Sequence, residues 1–149
     1  PADQWKNCFT SVAKAMKDEA GSLRICWSMG KKGRIDVRTI WPDGAPITNI
    51  CLSHYDDPYD RFGYETYNGG PWGLRAWLAF ARDKGRKLAF GEWGVGRAGD
   101  NPQYIQEMHD FLEEAGDSIA HESYFNTGKY RLYPVGENPK SSALYQKLF

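Results

Sequence analysis

The chain has 149 residues, and its 19 basic side chains are balanced by 19 acidic ones. That balance excludes the electrostatic footprint expected of a nucleic-acid or anionic-membrane binder, and no apolar run approaches the ~20 residues of a membrane span. A chain of this length can bury roughly 70% of its unfolded surface around one core. The unusual bias is aromatic: 15% of the residues are Phe, Trp or Tyr, six of them tryptophan. Cores fill more simply with Leu and Phe, so an excess of Trp and Tyr hints at a ligand-facing surface. Cys8, Cys26 and Cys51 are odd in number and lack metal-ligand spacing. Each sits in an apolar segment, so all three read as buried thiols. Nothing in the sequence calls for a metal or a cofactor, and Pro1-Ala2-Asp3-Gln4 does not read as a signal peptide.

In chain order, residues 3–20 predict an amphipathic helix with Asp3 as N-cap and Gly21 as its stop. Trp5, Cys8, Phe9, Val12 and Met16 recur on its apolar face. Residues 23–29 predict a strand, ended by Gly30-Lys31-Lys32-Gly33, and Trp41-Pro42-Asp43-Gly44 a turn. A second strand is expected over Ile47–Tyr55, broken at Asp56-Asp57-Pro58. The segment from Tyr59 to Gly70 is a long aromatic loop, the kind that more often carries function than not. Pro71 suits the first position of a helix over residues 72–84, with Leu74, Trp77, Leu78 and Ala81 on one face. Trp72 and Trp77, at helical spacing, read as core residues.

Lys87-Leu88-Ala89-Phe90 follows Gly85, is too short for a helix, and predicts a third strand ending at Glu92. Asn101-Pro102 opens a helix whose face is Ile105, Met108, Phe111 and Leu112, with Gly116 after its end. Residues 119–125 predict a fourth strand, and Asn138-Pro139 opens a last helix. Alternation of this kind implies a parallel sheet with helices packed on it, in one domain spanning 1–149. Reactive groups in such folds sit at the carboxyl ends of the strands, where Gly91-Glu92-Trp93-Gly94 places a carboxylate beside an indole. That pairing suits sugar chemistry: a carboxylate attacks an anomeric carbon, and an aromatic face packs on a pyranose. A closed (β/α)8 barrel needs about 250 residues, so four strands are either a small open sheet or half of a barrel.

The motifs, taken in order, resemble the C-terminal half of a glycoside hydrolase family 26 catalytic domain, a β-mannanase-like TIM (β/α)8 barrel. They are Cys26-Trp27-Ser28, Trp41-Pro42-Asp43-Gly44, the run from Ile50 to Asp56, Gly91-Glu92-Trp93-Gly94-Val95, Asn101-Pro102, Tyr124-Phe125, and Asn138-Pro139 before Tyr145. Only the glutamate motif is chemically specific, and the resemblance rests on order and spacing. It implies that the strands are the fifth to eighth of a barrel and that Glu92 is the catalytic nucleophile of a retaining mechanism. Tyr55 corresponds to the tyrosine that hydrogen-bonds that nucleophile. Trp27 would line the glycone side of the cleft. Strand alternation lets only one of His54 and Tyr55 face the site, and Tyr55 is favoured, with His54 kept as a substrate-binding candidate. Trp93 is open between sugar platform and packing residue, Tyr124 is a further substrate-binding candidate, and Tyr59, Tyr64 and Tyr67 could border the cleft.

Two departures stand out. The family's acid/base glutamate ends the fourth strand, upstream of this chain, and no residue here matches its motif. Glu122 shares a face with Tyr124 and reads as a salt-bridging residue, and Glu65 is a weaker candidate still. The family's usual acidic residue near the sixth strand is replaced by Ser53-His54. The resemblance therefore implies a secreted or extracellular hydrolase of β-1,4-linked polysaccharide, most of all β-mannan, that works with a missing N-terminal half-barrel. The alternatives are a carbohydrate-binding half-barrel without catalysis, stacking sugars on Trp27, Trp93 and loop tyrosines, and a half-barrel that self-associates because its sheet has two unpaired edges.

Overall fold

The computed structural model describes residues 1–28, 36–56, 73–96, 99–134 and 136–149. The loop from Tyr59 to Gly70, Pro71, Trp72 and the Gly30–Gly33 turn lie outside the described residues. The elements are α1 (Ala2–Glu19), β1 (Ile25–Ser28), β2 (Ile47–Tyr55), α2 (Leu74–Asp83), β3 (Lys87–Gly94), α3 (Pro102–Ala115), β4 (Ile119–His121) and α4 (Pro139–Leu148). The four strands are all parallel and lie in chain order β1-β2-β3-β4, the α/β architecture of half a TIM barrel.

Register assigns the faces. Trp27 pairs with Ile50, Ile50 with Leu88, Leu52 with Phe90 and His54 with Trp93, so these side chains share one face of the sheet. That face is the core. Leu74, Trp77, Leu78 and Ala81 recur at helical spacing on α2 and are all buried against it. Ile105, Met108 and Phe111 do the same from α3, with Phe90 and Phe111 meeting edge to face at 6.1 Å. Full burial of each large apolar side chain contributes about 1.5–3 kcal/mol. The opposite face carries Cys26, Ser28, Cys51, Ser53, Ala89, Glu92 and His121, small or polar groups.

Local chemistry sets the element ends. The Asn101 side chain accepts the Tyr104 N–H at 3.3 Å and caps α3, with Pro102 at its first position. Asn138 precedes α4 but does not cap it. Its amide donates to the carbonyls of Lys129 and Arg131, at 2.8 and 3.2 Å. Asp100 caps α4 from a distance in sequence, accepting the N–H groups of Lys140 (2.9 Å) and Ser141 (2.8 Å). Burial alone would raise the Asp100 carboxyl, but the hydrogen bonds from Ser141 and Lys140 outweigh it and hold it below its ordinary value.

Four expectations are corrected. Cys26 and Cys51 form a disulfide between β1 and β2, and only Cys8 is a free thiol, an exposed one. Ser28 pairs with Cys51, which brings Cys26 on the same face to a Cα separation of 5.9 Å, inside disulfide range. Helix α1 starts at Ala2 without a side-chain cap, and Asp3 lies in its first turn. Of its expected apolar face, Trp5 and Phe9 pack on the core while Cys8, Val12 and Met16 are exposed. The cause is position, since α1 leads into β1, an edge of the sheet. Finally, β4 is three residues long, and beyond it the pairing with β3 continues only as a bridge between Trp93 and Tyr124.

Candidate active site

Leu52 pairs with Phe90, yet Ser53 pairs with Glu92, so Gly91 is an extra residue in β3. Without that bulge, Phe90 and Glu92 would share a face by simple alternation, and the carboxylate would point into the core. With it, Phe90 stays buried and Glu92 emerges exposed on the opposite face, at the carboxyl end of the sheet. A β-carbon at position 91 would meet nothing within 4 Å, so glycine here leaves open space beside the carboxylate.

Tyr55, the last residue of β2, is on the same face as Ser53, and its hydroxyl donates to Glu92 Oε2 at 2.5 Å. Burial and then the hydrogen bond to Glu92 push the phenol well above its ordinary value, so at neutral pH it stays protonated and donates. Tyr55 is itself held by an aromatic group that sequence reasoning did not assemble. Its ring lies 4.9 Å from that of Tyr130 and 6.0 Å from that of Phe125, and those two are 5.5 Å apart. Tyr130 ends a 3-10 turn, Gly128–Tyr130, and packs over Gly96. Gly96 has φ +150°, and a β-carbon there would stand 2.3 Å from the Tyr130 ring, so both backbone and space require glycine. Phe125 was visible as the partner of Tyr124 in the final motif. Tyr130 carries no sequence signal, because only the fold brings its turn to Gly96.

The β2–α3 junction anchors this end. The Asp56 N–H donates to the Gly94 carbonyl at 3.1 Å, and the Asp56 carboxylate accepts from Asn101 Nδ2 at 2.8 Å. Tyr124 adds a brace across the end of β3: its hydroxyl accepts the Val95 N–H (3.2 Å) and donates to the Tyr130 carbonyl (2.7 Å). Burial raises the Tyr124 phenol, so this brace also stays neutral.

The other expected substrate contacts lie elsewhere. Trp27 is fully buried and packs on Trp41, Trp77 and Phe80. Trp93 is fully buried among Tyr104, Tyr124, Tyr145 and Phe149. His54 is 1% exposed and lies against Tyr104, whose hydroxyl donates to the His54 carbonyl at 2.8 Å. None of the three presents a face to a sugar, and alternation is the reason: each is adjacent in sequence to an inward residue, Ser28, Glu92 or Tyr55. Tyr124 is a brace on the helix side that touches the site through Tyr130 and the Val95 backbone. Glu122, also on that side, accepts the Trp93 indole N–H rather than forming a salt bridge. Tyr59, Tyr64, Glu65 and Tyr67 lie outside the described residues. Among the described residues no group of three or more His, Cys, Asp or Glu side chains converges as a metal site would require.

An exposed carboxylate held by a protonated phenol can act as a nucleophile or stabilise a developing cation, provided a second group handles the proton.

No family model matches the sequence, and no curated protein matches it. Solved structures do. An endo-β-1,4-glucanase of Xanthomonas axonopodis pv. citri, carrying a triple mutation, superposes with TM-score 0.69 at 13% identity, covering 97% of this chain and 55% of that one. The catalytic domain of a GH26 endo-β-1,4-mannanase from Bacillus sp. JAMB-750 gives 0.66 at 16% identity, covering 97% and 44%. A Cellulomonas fimi endo-β-1,4-mannanase double mutant gives 0.60 at 20% identity, covering 97% and 35%. At these identities the likeness is one of fold. The chain spans about half the length of the first of these structures and less of the others.

Proposed function

We propose that this chain supplies the nucleophile half of a retaining β-1,4-glycan hydrolase site, with β-mannan as the substrate. The observation that carries the reading is the hydrogen bond from Tyr55 to Glu92 Oε2, on the open face at the carboxyl ends of β2 and β3. Glu92 attacks the anomeric carbon, the glycosidic C–O bond breaks, and the leaving oxygen takes a proton from an acid outside this chain. Water, deprotonated by that same group, then cleaves the glycosyl ester and restores Glu92. Tyr55 holds the carboxylate in position for the attack through its hydrogen bond. The mannanase and glucanase folds that the chain matches support the β-1,4-glycan class, and the family 26 motif order favours mannan. The disulfide between Cys26 and Cys51 supports an oxidising, extracytoplasmic location.

The acid is expected on further β/α units packed against the open sheet edges, β1 and β4. Apolar side chains are exposed in the chain segments that flank both strands: Val12, Met16 and Leu23 before β1, and Tyr133 and Phe149 after β4. Self-association across the same edges is the competing arrangement. The binding-only alternative is weakened, since two of its stacking platforms, Trp27 and Trp93, are in the core. The test uses dinitrophenyl β-mannosides and β-glucosides, whose leaving groups need little proton assistance. Release from the mannoside is expected to exceed that from the glucoside and to fall to background in Glu92→Gln. Unchanged release in that variant removes Glu92 as nucleophile.

A further inference from the structure

At the end of the sheet opposite Glu92 lies a cleft of about 550 Å³ whose polar lining is Arg24, Thr48, Asn49, Arg86 and Lys87. These residues come from the entry to β1, the start of β2 and the start of β3, so the cleft sits at the amino ends of three parallel strands. Three cations line it and, among the described residues, no carboxylate does. Among the described residues none of the three is in an ion pair. The side chains of Arg24 and Lys87 make no hydrogen bond there. Arg86 donates only to the neighbouring Gly85 carbonyl, at 3.0 Å, and its Nε is buried without a partner. Thr48 Oγ accepts the Ile25 N–H at 3.1 Å, which leaves its hydroxyl hydrogen available to donate.

Cations gathered around one cleft without a counter-charge repel one another, and an anion placed among them relieves that repulsion. The half-buried Arg86 side chain, with its Nε lacking a partner, gains from charge-assisted bonds made by the accessible edge of its guanidinium. The donor set is a guanidinium from each of two loops, an ammonium and a hydroxyl. It suits a small oxyanion with several acceptor oxygens, because guanidinium forks match phosphate and sulfate geometry. We propose that this cleft binds a phosphate or sulfate group and that the bound group ties the β1, β2 and β3 entries together. The site is independent of the glycan reading, for the amino ends of strands in such folds serve stability rather than chemistry.

The test is a backbone-amide NMR titration with sodium phosphate, and separately with sodium sulfate, against sodium chloride at equal ionic strength. Saturable shifts confined to residues 24–25, 47–49 and 86–87 are expected with one or both oxyanions, and none with chloride. The response to each salt tells which anion the cleft prefers. Arg86→Gln should weaken binding about tenfold, the effect of losing one charge-assisted contact. Lys87→Gln, at an exposed position, should also weaken it, and guards against a folding defect in the first variant. Shifts that fail to saturate, or that are as strong in both variants as in the parent protein, overturn the proposal.

Discussion

Glu92 and Tyr55 come from neighbouring strands, and one extra residue decides whether they meet. The Gly91 bulge turns Glu92 out of the core and into reach of the Tyr55 hydroxyl. Tyr55→Phe removes one hydrogen bond to a charged acceptor, worth about 1.5–3 kcal/mol. With an activated mannoside, kcat/KM should therefore fall by about ten- to a hundredfold while the circular dichroism spectrum stays unchanged. An unaltered rate would detach Tyr55 from the chemistry. In the sequence, the order of motifs around Glu92 singles it out, since a lone glutamate after an apolar strand more often just caps the next loop, and Tyr55 enters with the family resemblance. Strand alternation alone separates His54 from Tyr55. The same rule, applied to Trp93 beside Glu92 and Trp27 beside Ser28, sends both indoles to the core. Adjacency to a reactive residue in a strand is thus an argument against sharing its site. Tyr130 was out of reach of such reasoning, since its place depends on the approach of a distant turn to Gly96.

At the scale of elements, strong local chemistry was legible and edge effects were not. The span of β2, the start of α3 at Asn101-Pro102 and the buried face of α2 all follow from period and capping. The shortness of β4 and the exposed face of α1 depend on what lies beside the sheet, which no local pattern encodes. The capping of α4 is a similar case, for Asp100 and not the adjacent Asn138 receives its first N–H groups. Asp100→Ala should lower stability by about 1 kcal/mol near neutral pH, measured by urea denaturation. The Asp100 carboxyl lies below its ordinary value of 3.8 in the folded protein, so its ionised form contributes stability above that pH. The gap between parent and variant should narrow as pH falls through and below that value. A gap that widens on acidification would contradict the assignment.

At the scale of the molecule, the described residues form a four-stranded parallel sheet with helices on one face, a small, polar opposite face, and β1 and β4 as its outer strands. Its Cys26–Cys51 staple joins β1 to β2 across a sequence separation of 25 residues. Replacing both cysteines with serine should cost about 3.5 kcal/mol by the loop-entropy relation. Reductant should reproduce that loss in the parent protein, and no change in the denaturation midpoint on reduction would show that the bond is not formed in solution. The pairing was hidden from sequence because it follows from the β1–β2 register, which local patterns leave undetermined. The proposed location of the proton donor outside this chain follows, by contrast, from the sequence, where no glutamate matches the motif that the family resemblance calls for. General acid catalysis typically supplies about 10²–10⁴-fold, so natural mannan is a poor first probe of this chain alone.

The most direct measurement bypasses that step: incubation with dinitrophenyl 2-deoxy-2-fluoro-β-mannoside, followed by intact mass and peptide mapping. The leaving group departs without an acid, and the fluorine slows hydrolysis of the glycosyl ester. One fluoromannosyl adduct is expected, carried by the peptide containing Glu92 and absent from Glu92→Gln. No adduct on the parent protein, or an adduct that persists in the variant, would contradict it.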